Sequence, residues 1–308
     1  MPKPDAYGES ALQLPAALLE CGHGTLPPNR ALMHLIIDLP TPEAVDRAIA
    51  NATGASADLE GRRQLAILRG LWRTYRDGFT TIRTIANLFD HHDSGSSPDT
   101  RIAACAEAFD AAAELSADAG AALYSLGSNT LLQAITREIV ERMRDWRLLG
   151  REKTALEIGC GSGRFVAALA PEMRRITGVD ISARMIAAAK RRCARHANVR
   201  LLQTEGRDLA FCRDGSIAFL YAVDSFPYIV QCGAEMAARH FAEAARVLRT
   251  GGRFLILNYA YDSNPARDRA EIQALAEAAG LRLLRASTGD FSLWDGATFI
   301  LERPLPEE

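Results

Sequence analysis

Leu156-Glu157-Ile158-Gly159-Cys160-Gly161-Ser162-Gly163 is the stretch of sequence that decides the fold. Its first residues belong to a short run typical of a buried β-strand, and residues 163–170 have the pattern of a helix. Glycine has no Cβ, so glycines between a strand and a helix let the backbone turn sharply and approach a ligand closely. The stretch therefore predicts a strand, a ligand-binding loop and a helix in succession.

Downstream of Gly150, short runs rich in leucine or β-branched residues alternate with amphipathic helical segments, which is typical of a parallel sheet in an α/β fold. We predict strands near 154–158, 175–180, 199–203, 217–223 and 252–259. Helices are predicted near 163–170, 183–196, 234–249 and 267–279. Two last strands, about 281–289 and 297–303, flank Trp294-Asp295-Gly296 and are predicted to form an antiparallel hairpin.

Upstream of Gly150, the sequence predicts a mainly α-helical region. Proline and glycine over residues 1–30 favour irregular structure, and residues 31–39 fit either a short buried strand or the end of a helix. Further helical patterns cover 42–51, 65–75, 79–89, 100–118 and 131–146. We therefore predict a helical cap or auxiliary domain over 1–150 and an α/β domain over 151–308.

The amino-acid composition limits the kinds of partner that we expect for this protein. The formal net charge of −2 creates no overall field that would gather nucleic acid. A local basic stretch, Lys190-Arg191-Arg192, has no interleaved aromatic residues and fits a solvated helix face better than a nucleic-acid site. The six cysteines are scattered without zinc spacing, which indicates reduced thiols and no metal centre. No apolar run reaches membrane length and no signal-type core follows Met1, so we expect a cytoplasmic protein without membrane contact.

The spacing of the glycines argues against a nicotinamide or flavin cofactor. The dinucleotide fingerprint G-x-G-x-x-G, or its variant with a final alanine, requires a small residue where this chain has Arg164. The glycines instead fall at 159, 161 and 163.

An acidic residue followed by three alternating glycines after the first strand resembles motif I of the class I S-adenosylmethionine-dependent methyltransferases. Three further segments resemble that family in the same order: Gly178-Val179-Asp180-Ile181-Ser182, Glu205-Gly206-Arg207-Asp208, and Leu248–Leu257 with Thr250 in place of the family's usual proline. The resemblance covers about 150–303. It implies a Rossmann-like, seven-stranded, mostly parallel sheet with an antiparallel C-terminal hairpin, and S-adenosylmethionine as the cofactor.

The resemblance also implies roles for individual residues. Glu157 would help to hold the amino group of the cofactor, and Asp180 would accept hydrogen bonds from both ribose hydroxyls, with Ile181 beside it. The turn carrying Arg207 and Asp208 would contact adenine. The loop would contribute Gly159, Cys160, Gly161 and Gly163 to the same site. Glu157 can also serve loop amides alone, and Asp180 can be a helix N-cap instead.

The sequence defines the binding site for the methyl acceptor less well than the cofactor site. Asp224 and Tyr228, after the fourth predicted strand, are the catalytic candidates, and Asp224 can also bind the cofactor while Tyr228 can simply pack. This strand end lacks the Asn/Asp-Pro-Pro-Tyr/Phe tetrad of many amino-group methyltransferases. Tyr124 lies where related enzymes cover the methionine end of the cofactor, or else is a buried helix-end tyrosine.

Two other groups of residues invite functional interpretations. His91-His92-Asp93 fits either a metal or general-base site or an exposed loop. The aromatic residues Trp72, Tyr75, Phe79 and Phe89 fit helix core better than a wall for a flat or apolar substrate.

We predict a methyltransferase with a small-molecule acceptor. Three alternatives remain open: a protein or RNA methyltransferase that docks through its helical region, a non-catalytic sensor of S-adenosylmethionine, and, more remotely, a nicotinamide oxidoreductase.

Overall fold

The computed structural model describes residues 14–55, 58–89, 97–261 and 264–305. The chain divides into two compact units, with the division between Arg83 and Thr84. Among the described residues, no helix is both long and apolar enough to cross a membrane.

The first unit is helical. Its helices are α1 (Ala16–Gly22), α2 (Pro28–Asp38), α3 (Pro42–Ala55), α4 (Leu59–Tyr75) and the first half of α5 (Phe79–Asn87). Its core includes Leu32, Leu68, Trp72 and Phe79, and the last three are buried as the helical spacing predicts. The Trp72 indole N–H donates to Asp46 over 2.7 Å, so this tryptophan is a structural residue.

The prediction of irregular structure over residues 1–30 was wrong for the described part of that segment, because α1 and the start of α2 lie there. Pro28 is tolerated at the start of α2 because the first helical N–H has no partner within the helix. Residues 31–38 continue α2, so the helical alternative for this segment is the correct one.

The second unit contains a seven-stranded sheet. Its strands are β1 (Gly150–Ile158), β2 (Met173–Asp180), β3 (Val199–Gln203), β4 (Ile217–Val223), β5 (Leu248–Leu257), β6 (Arg282–Ser287) and β7 (Thr298–Glu302). The strand order is β3-β2-β1-β4-β5-β7-β6, in which β7 pairs antiparallel with both β5 and β6, and the other pairs are parallel. The predicted Rossmann-like fold with an antiparallel C-terminal hairpin is confirmed.

Within the described residues of the second unit, seven α-helices follow the end of α5. They are α6 (Pro98–Ala121), α7 (Asn129–Asp145), α8 (Arg164–Leu169), α9 (Ala183–Cys193), α10 (Phe226–Gln231), α11 (Ala234–Val247) and α12 (Pro265–Ala278). α6 has a break at Ser116, whose backbone is extended rather than helical. Thus α6 and α7, which lie before residue 150, share a compact unit with the sheet. The cap role of residues 1–150 stays a prediction.

The topology brings several strand ends together. β1 lies between β2 and β4, and β4 lies between β1 and β5. All seven residues of β4 are buried, consistent with a central parallel strand covered on both faces. The carboxyl ends of β1, β2, β4 and β5 therefore meet at one edge, where ligands bind in open α/β sheets.

Candidate functional site

The glycine loop connects β1 to α8 with three left-handed glycines. Gly159, Gly161 and Gly163 have φ of 68°, 50° and 76°. A Cβ on Gly159 would lie 2.3 Å from the Ser225 Cβ, and one on Gly163 would lie 2.8 Å from the Ala189 Cβ. The glycines are therefore required both by the backbone conformation and by close packing.

Cys160 lies between the first two of these glycines and is buried. Its backbone N–H donates to the Val179 carbonyl over 2.9 Å, which ties the loop to the end of β2. Burial raises the pKa of the Cys160 thiol well above its usual range, so the side chain is a neutral packing group.

Asp180 ends β2 beside this loop and is 8% exposed. Its Oδ2 accepts from the Gly161 N–H over 2.7 Å, and its Oδ1 accepts from the Ser182 N–H over 2.9 Å. Burial raises the pKa of Asp180 to about 6, against the lowering effect of the backbone hydrogen bonds. Two backbone amides thus fix the orientation of this carboxylate, and Ser182, not Asp180, caps α9 by accepting from the Met185 N–H.

Glu157 lies on β1, the neighbouring strand, and is 1% exposed. Its Oε2 accepts from the Tyr221 hydroxyl of β4 over 3.1 Å. Burial raises the pKa of Glu157 well above its usual range. The structure therefore brings Glu157, Asp180 and the glycine loop together at the carboxyl ends of adjacent strands.

The other predicted cofactor residues lie on the turns after β2 and β3. The Ile181 side chain is near Gly206, where an added Cβ would lie 2.6 Å from the Ile181 Cγ2. Arg207 forms an ion pair with Asp99 at 3.2 Å. Asp208 lines a separate hollow of about 400 Å³ next to Arg239, Glu243 and Arg246, so its neighbours are on α11 rather than on the glycine loop.

A buried polar network occupies the region after β4. The Tyr124 hydroxyl donates to Asp224 Oδ2 over 2.6 Å and accepts a hydrogen bond from Arg164. The Asn258 amide donates to Asp224 Oδ1 over 2.7 Å. Asp224 itself has a left-handed backbone, with φ of 55°. The Asp224 carboxylate is therefore held from both sides in a backbone conformation that is unusual outside glycine.

Arg164 is the cation of this network and is 8% exposed. One guanidinium nitrogen lies 3.9 Å from Asp224 Oδ2, and another donates to Thr136 Oγ1 over 3.4 Å. The guanidinium also lies over the ring of Phe165, 4.3 Å from the centroid. The hydrogen bonds of the guanidinium and its nearby carboxylate partner offset the free-energy cost of removing this charge from water.

Tyr228 belongs to an aromatic cluster next to the network. Its ring centroid lies 5.0 Å from Phe109, 5.8 Å from Phe89 and 5.6 Å from Tyr261. Burial raises the pKa of the Tyr228 hydroxyl, so the side chain is a neutral phenol at physiological pH. Phe89 thus packs here, while Trp72 and Phe79 pack in the core of the first unit.

The histidine motif at residues 91–93 lies outside the described residues. Within the described ranges, no group of three or more His, Cys, Asp or Glu side chains is arranged to hold a metal ion.

Sequence reasoning missed the aspartates of α6 and the role of Arg164. Asp110 accepts from the Ser182 hydroxyl, and Asp118 pairs with Arg192. Together with Glu114 they lie at i, i+4 and i+8 in an alanine-rich segment, a spacing that predicts one acidic face on a continuous helix. That spacing was the available signal. Arg192, interpreted as part of a solvated basic face, is instead the partner of Asp118.

Comparisons with known proteins agree with the geometry. Residues 155–252 match the family model of a methyltransferase domain. A demethylmenaquinone methyltransferase of Tropheryma whipplei (strain Twist) is 32% identical over 108 residues, covering 34% of this chain and 41% of that protein. An S-adenosyl-L-methionine-dependent Diels-Alderase of Talaromyces variabilis is 31% identical over 133 residues, covering 43% of this chain and 45% of that protein.

Among solved structures, geranyl diphosphate C-methyltransferase from Streptomyces coelicolor A3(2), in complex with Mg²⁺, geranyl diphosphate and S-adenosyl-L-homocysteine, is similar with a TM-score of 0.47 and 16% identity. The similarity covers 58% of this chain and 84% of that one.

The fold and the glycine loop with its flanking carboxylates define a Rossmann-like cofactor-binding protein. The matching family model goes further for residues 155–252, which form a methyltransferase domain, and the relative named as S-adenosyl-L-methionine-dependent agrees with that cofactor. The chain spans only 41% to 45% of the length of these two curated relatives.

Proposed function

We propose that this protein transfers a methyl group from S-adenosylmethionine to a small-molecule acceptor. Asp180 and Glu157 lie near the carboxyl ends of two neighbouring parallel strands, directly beside the left-handed glycine loop, and this placement carries the proposal. A supporting point is the name of the relative from T. whipplei, whose acceptor demethylmenaquinone is a small molecule.

The chemistry of the donor set fits the cofactor. An ionised carboxylate has about four acceptor positions, and backbone amides orient both oxygens of Asp180. A carboxylate held in this way suits the hydroxyls of a ribose. We assign Glu157 to the amino group of the cofactor, and Gly159, Cys160, Gly161 and Gly163 to backbone contacts along the loop. Ile181, Arg207 and Asp208 stay our proposals for the adenosine end, and Tyr124 for the methionine end.

The cofactor supplies an activated methyl group on a sulfonium, so the protein contributes mainly position and a shaped site. We propose that Asp224 faces the acceptor. Tyr124 and Asn258 hold one oxygen each and so fix the carboxylate, which would orient an acceptor hydroxyl or amine and take up its proton. Tyr228, as a neutral phenol, would contribute a wall or a hydrogen-bond donor rather than a base.

A second function is use of the cofactor without methyl transfer, because the relative from T. variabilis is named a Diels-Alderase that depends on S-adenosylmethionine. The test is to incubate the protein with methyl-labelled S-adenosylmethionine and a panel of quinol, phenol and amine acceptors. Labelled product together with S-adenosylhomocysteine, absent for Asp224→Asn, is the expected result. Cofactor binding with no label transferred to any small molecule, protein or RNA would favour the second function.

A further inference from the structure

Helix α6 contacts both turns that hold the Asp180 carboxylate. One turn contains Ser182, whose N–H donates to Asp180 Oδ1, and the other contains Gly161, whose N–H donates to Asp180 Oδ2. Each turn is bound by an aspartate of α6. None of these contacts follows from the glycine motif, because α6 lies well before it in the sequence.

Asp110 holds the first turn. Its Oδ1 accepts from the Ser182 hydroxyl over 2.5 Å and from the Arg184 N–H over 3.0 Å. It therefore adds a second acceptor to the N-terminus of α9, where a negative charge is stabilised by the helix dipole. The same oxygen makes both contacts.

Asp118 holds the second turn. Arg192 donates to both of its oxygens, over 2.6 and 2.7 Å, and the Ser162 hydroxyl donates to Oδ1 over 2.8 Å. Ser162 follows Gly161 directly, and its own hydroxyl accepts from Arg192 over 2.6 Å. One guanidinium nitrogen of Arg192 contacts both Asp118 oxygens while another donates to Ser162, so this charged cluster restrains the glycine loop more strongly than a single neutral hydrogen bond.

The packing of α6 also needs small residues. A Cβ added to Gly161 would lie 3.1 Å from the Ala121 Cβ, and one on Gly120 would lie 3.1 Å from the Met185 side chain. The helix therefore lies directly against the glycine loop and α9. Asp110 and Asp118 therefore contact Ser182 and Ser162, the serines of the two turns, directly.

We infer that Asp110 and Asp118 are positioning residues that set the orientation of the Asp180 carboxylate toward the ribose of the cofactor. The inference rests on the proposed function, because it takes the ribose role of Asp180 as given. It makes α6 part of the cofactor site, although α6 lies outside the α/β domain predicted from the sequence.

The test measures binding of two ligands by isothermal titration calorimetry: S-adenosylhomocysteine and its analogue lacking the 2′- and 3′-hydroxyls. Asp110→Ala and Asp118→Ala are expected to weaken S-adenosylhomocysteine binding about tenfold, because each removes a charged acceptor that holds one of the two turns. The same variants should bind the analogue as the wild type does, because the analogue makes no ribose contact to lose.

If the alanine variants fold poorly, conservative variants at the same two positions still test the inference. Asp110→Asn should stay within about twofold of the wild type, because an amide oxygen can replace the single oxygen used. Asp118→Asn should weaken binding like Asp118→Ala, because an amide cannot accept both hydrogen bonds from Arg192. Glu107→Gln, at an exposed carboxylate on the same helix, is the matched control and should change neither affinity.

The outcomes separate this inference from the proposed function. Equal losses for both ligands, or no loss for either, would overturn the positioning role while leaving the proposed function intact. Wild-type protein that binds both ligands equally would disprove the ribose role of Asp180 and the inference with it. Wild-type protein that binds neither would overturn the proposed function as well.

Discussion

Asp180 carries a pH dependence that follows from its surroundings. Burial raises its pKa to about 6, and Asp110 contributes a further raising effect from its like charge. A carboxyl with a raised pKa is ionised above that pH and takes up its proton as the pH falls through it. Only the ionised form offers every acceptor position to ribose hydroxyls.

We therefore expect the affinity for S-adenosylhomocysteine to be constant above pH 7 and to fall by up to about tenfold between pH 7 and pH 5. Calorimetric titrations at several pH values measure this. Asp180→Asn, which cannot titrate, should bind more weakly but with no such slope. The same slope in Asp180→Asn would assign the titration to another group.

Tyr124 is the residue on which the network after β4 depends. Its hydroxyl lies between the Arg164 guanidinium and the Asp224 carboxylate, and burial raises the pKa of this phenol, so it stays a neutral donor. Removing the hydroxyl leaves two charged groups each without one partner.

Tyr124→Phe should therefore lower the free energy of unfolding by about 1.5–3 kcal/mol, the range for hydrogen bonds to charged groups. Urea unfolding followed by circular dichroism measures the change. Tyr261→Phe is the comparison, since the Tyr261 hydroxyl donates over 3.2 Å to the neutral Asp224 carbonyl rather than to a charged group. If both variants lost the same stability, the network would have no special role.

At the scale of elements, the loop after β1 is limited by packing as well as by backbone conformation. Gly159 and Gly215 both have left-handed backbones, with φ of 68° and 61°. An added Cβ at Gly159 meets Ser225 at 2.3 Å, whereas one at Gly215 meets nothing within 4 Å. An alanine substitution at Gly215 therefore tests backbone strain alone, whereas one at Gly159 tests backbone strain together with steric overlap.

Gly215→Ala should cost about 1–2 kcal/mol, the price of a left-handed alanine. Gly159→Ala should cost that amount and about 1–3 kcal/mol more, because Ser225 and the β4 end must move. It should also weaken S-adenosylhomocysteine binding, while Gly215→Ala should not. Thermal unfolding and calorimetry measure the two effects, and equal stability loss in both variants would contradict the packing argument.

The elements differ in how far the sequence predicts them. The strands from β1 to β5 follow from local apolar runs between turn residues, and the glycine loop follows from its motif. The contacts of Asp110 with Ser182 and of Asp118 with Ser162 join residues 72 and 44 positions apart. Periodicity carries no information about such pairs. From the sequence, Arg164 served only as an argument against a dinucleotide motif. Its role in the buried network was not predicted, because its partner Tyr124 lies 40 residues earlier in the chain.

At the scale of the whole molecule, the described residues of the proposed cofactor site lie in the second unit. The residues that hold Asp180, namely Gly161 and Ser182 with the α6 aspartates behind them, all follow the division between Arg83 and Thr84. A fragment that keeps α6 and α7 keeps every one of these contacts.

A fragment of residues 84–308 should therefore bind S-adenosylhomocysteine with an affinity within a few-fold of the full chain. A fragment of residues 151–308 should lose binding, because it lacks α6 and α7 and exposes buried residues of α8 and α9. Calorimetry on both fragments, with circular dichroism to verify folding, measures this. Full affinity in the shorter fragment would show that α6 and α7 are dispensable.

We propose that the glycine loop and Asp180 together bind S-adenosylmethionine. The most direct measurement is isothermal titration calorimetry of the full chain with S-adenosylmethionine, NAD and NADP, repeated with Asp180→Ala. We expect one S-adenosylmethionine bound per chain, no binding of either nicotinamide, and affinity at least about tenfold weaker in the correctly folded variant. Binding of a nicotinamide instead, or unchanged affinity in Asp180→Ala, would contradict the claim.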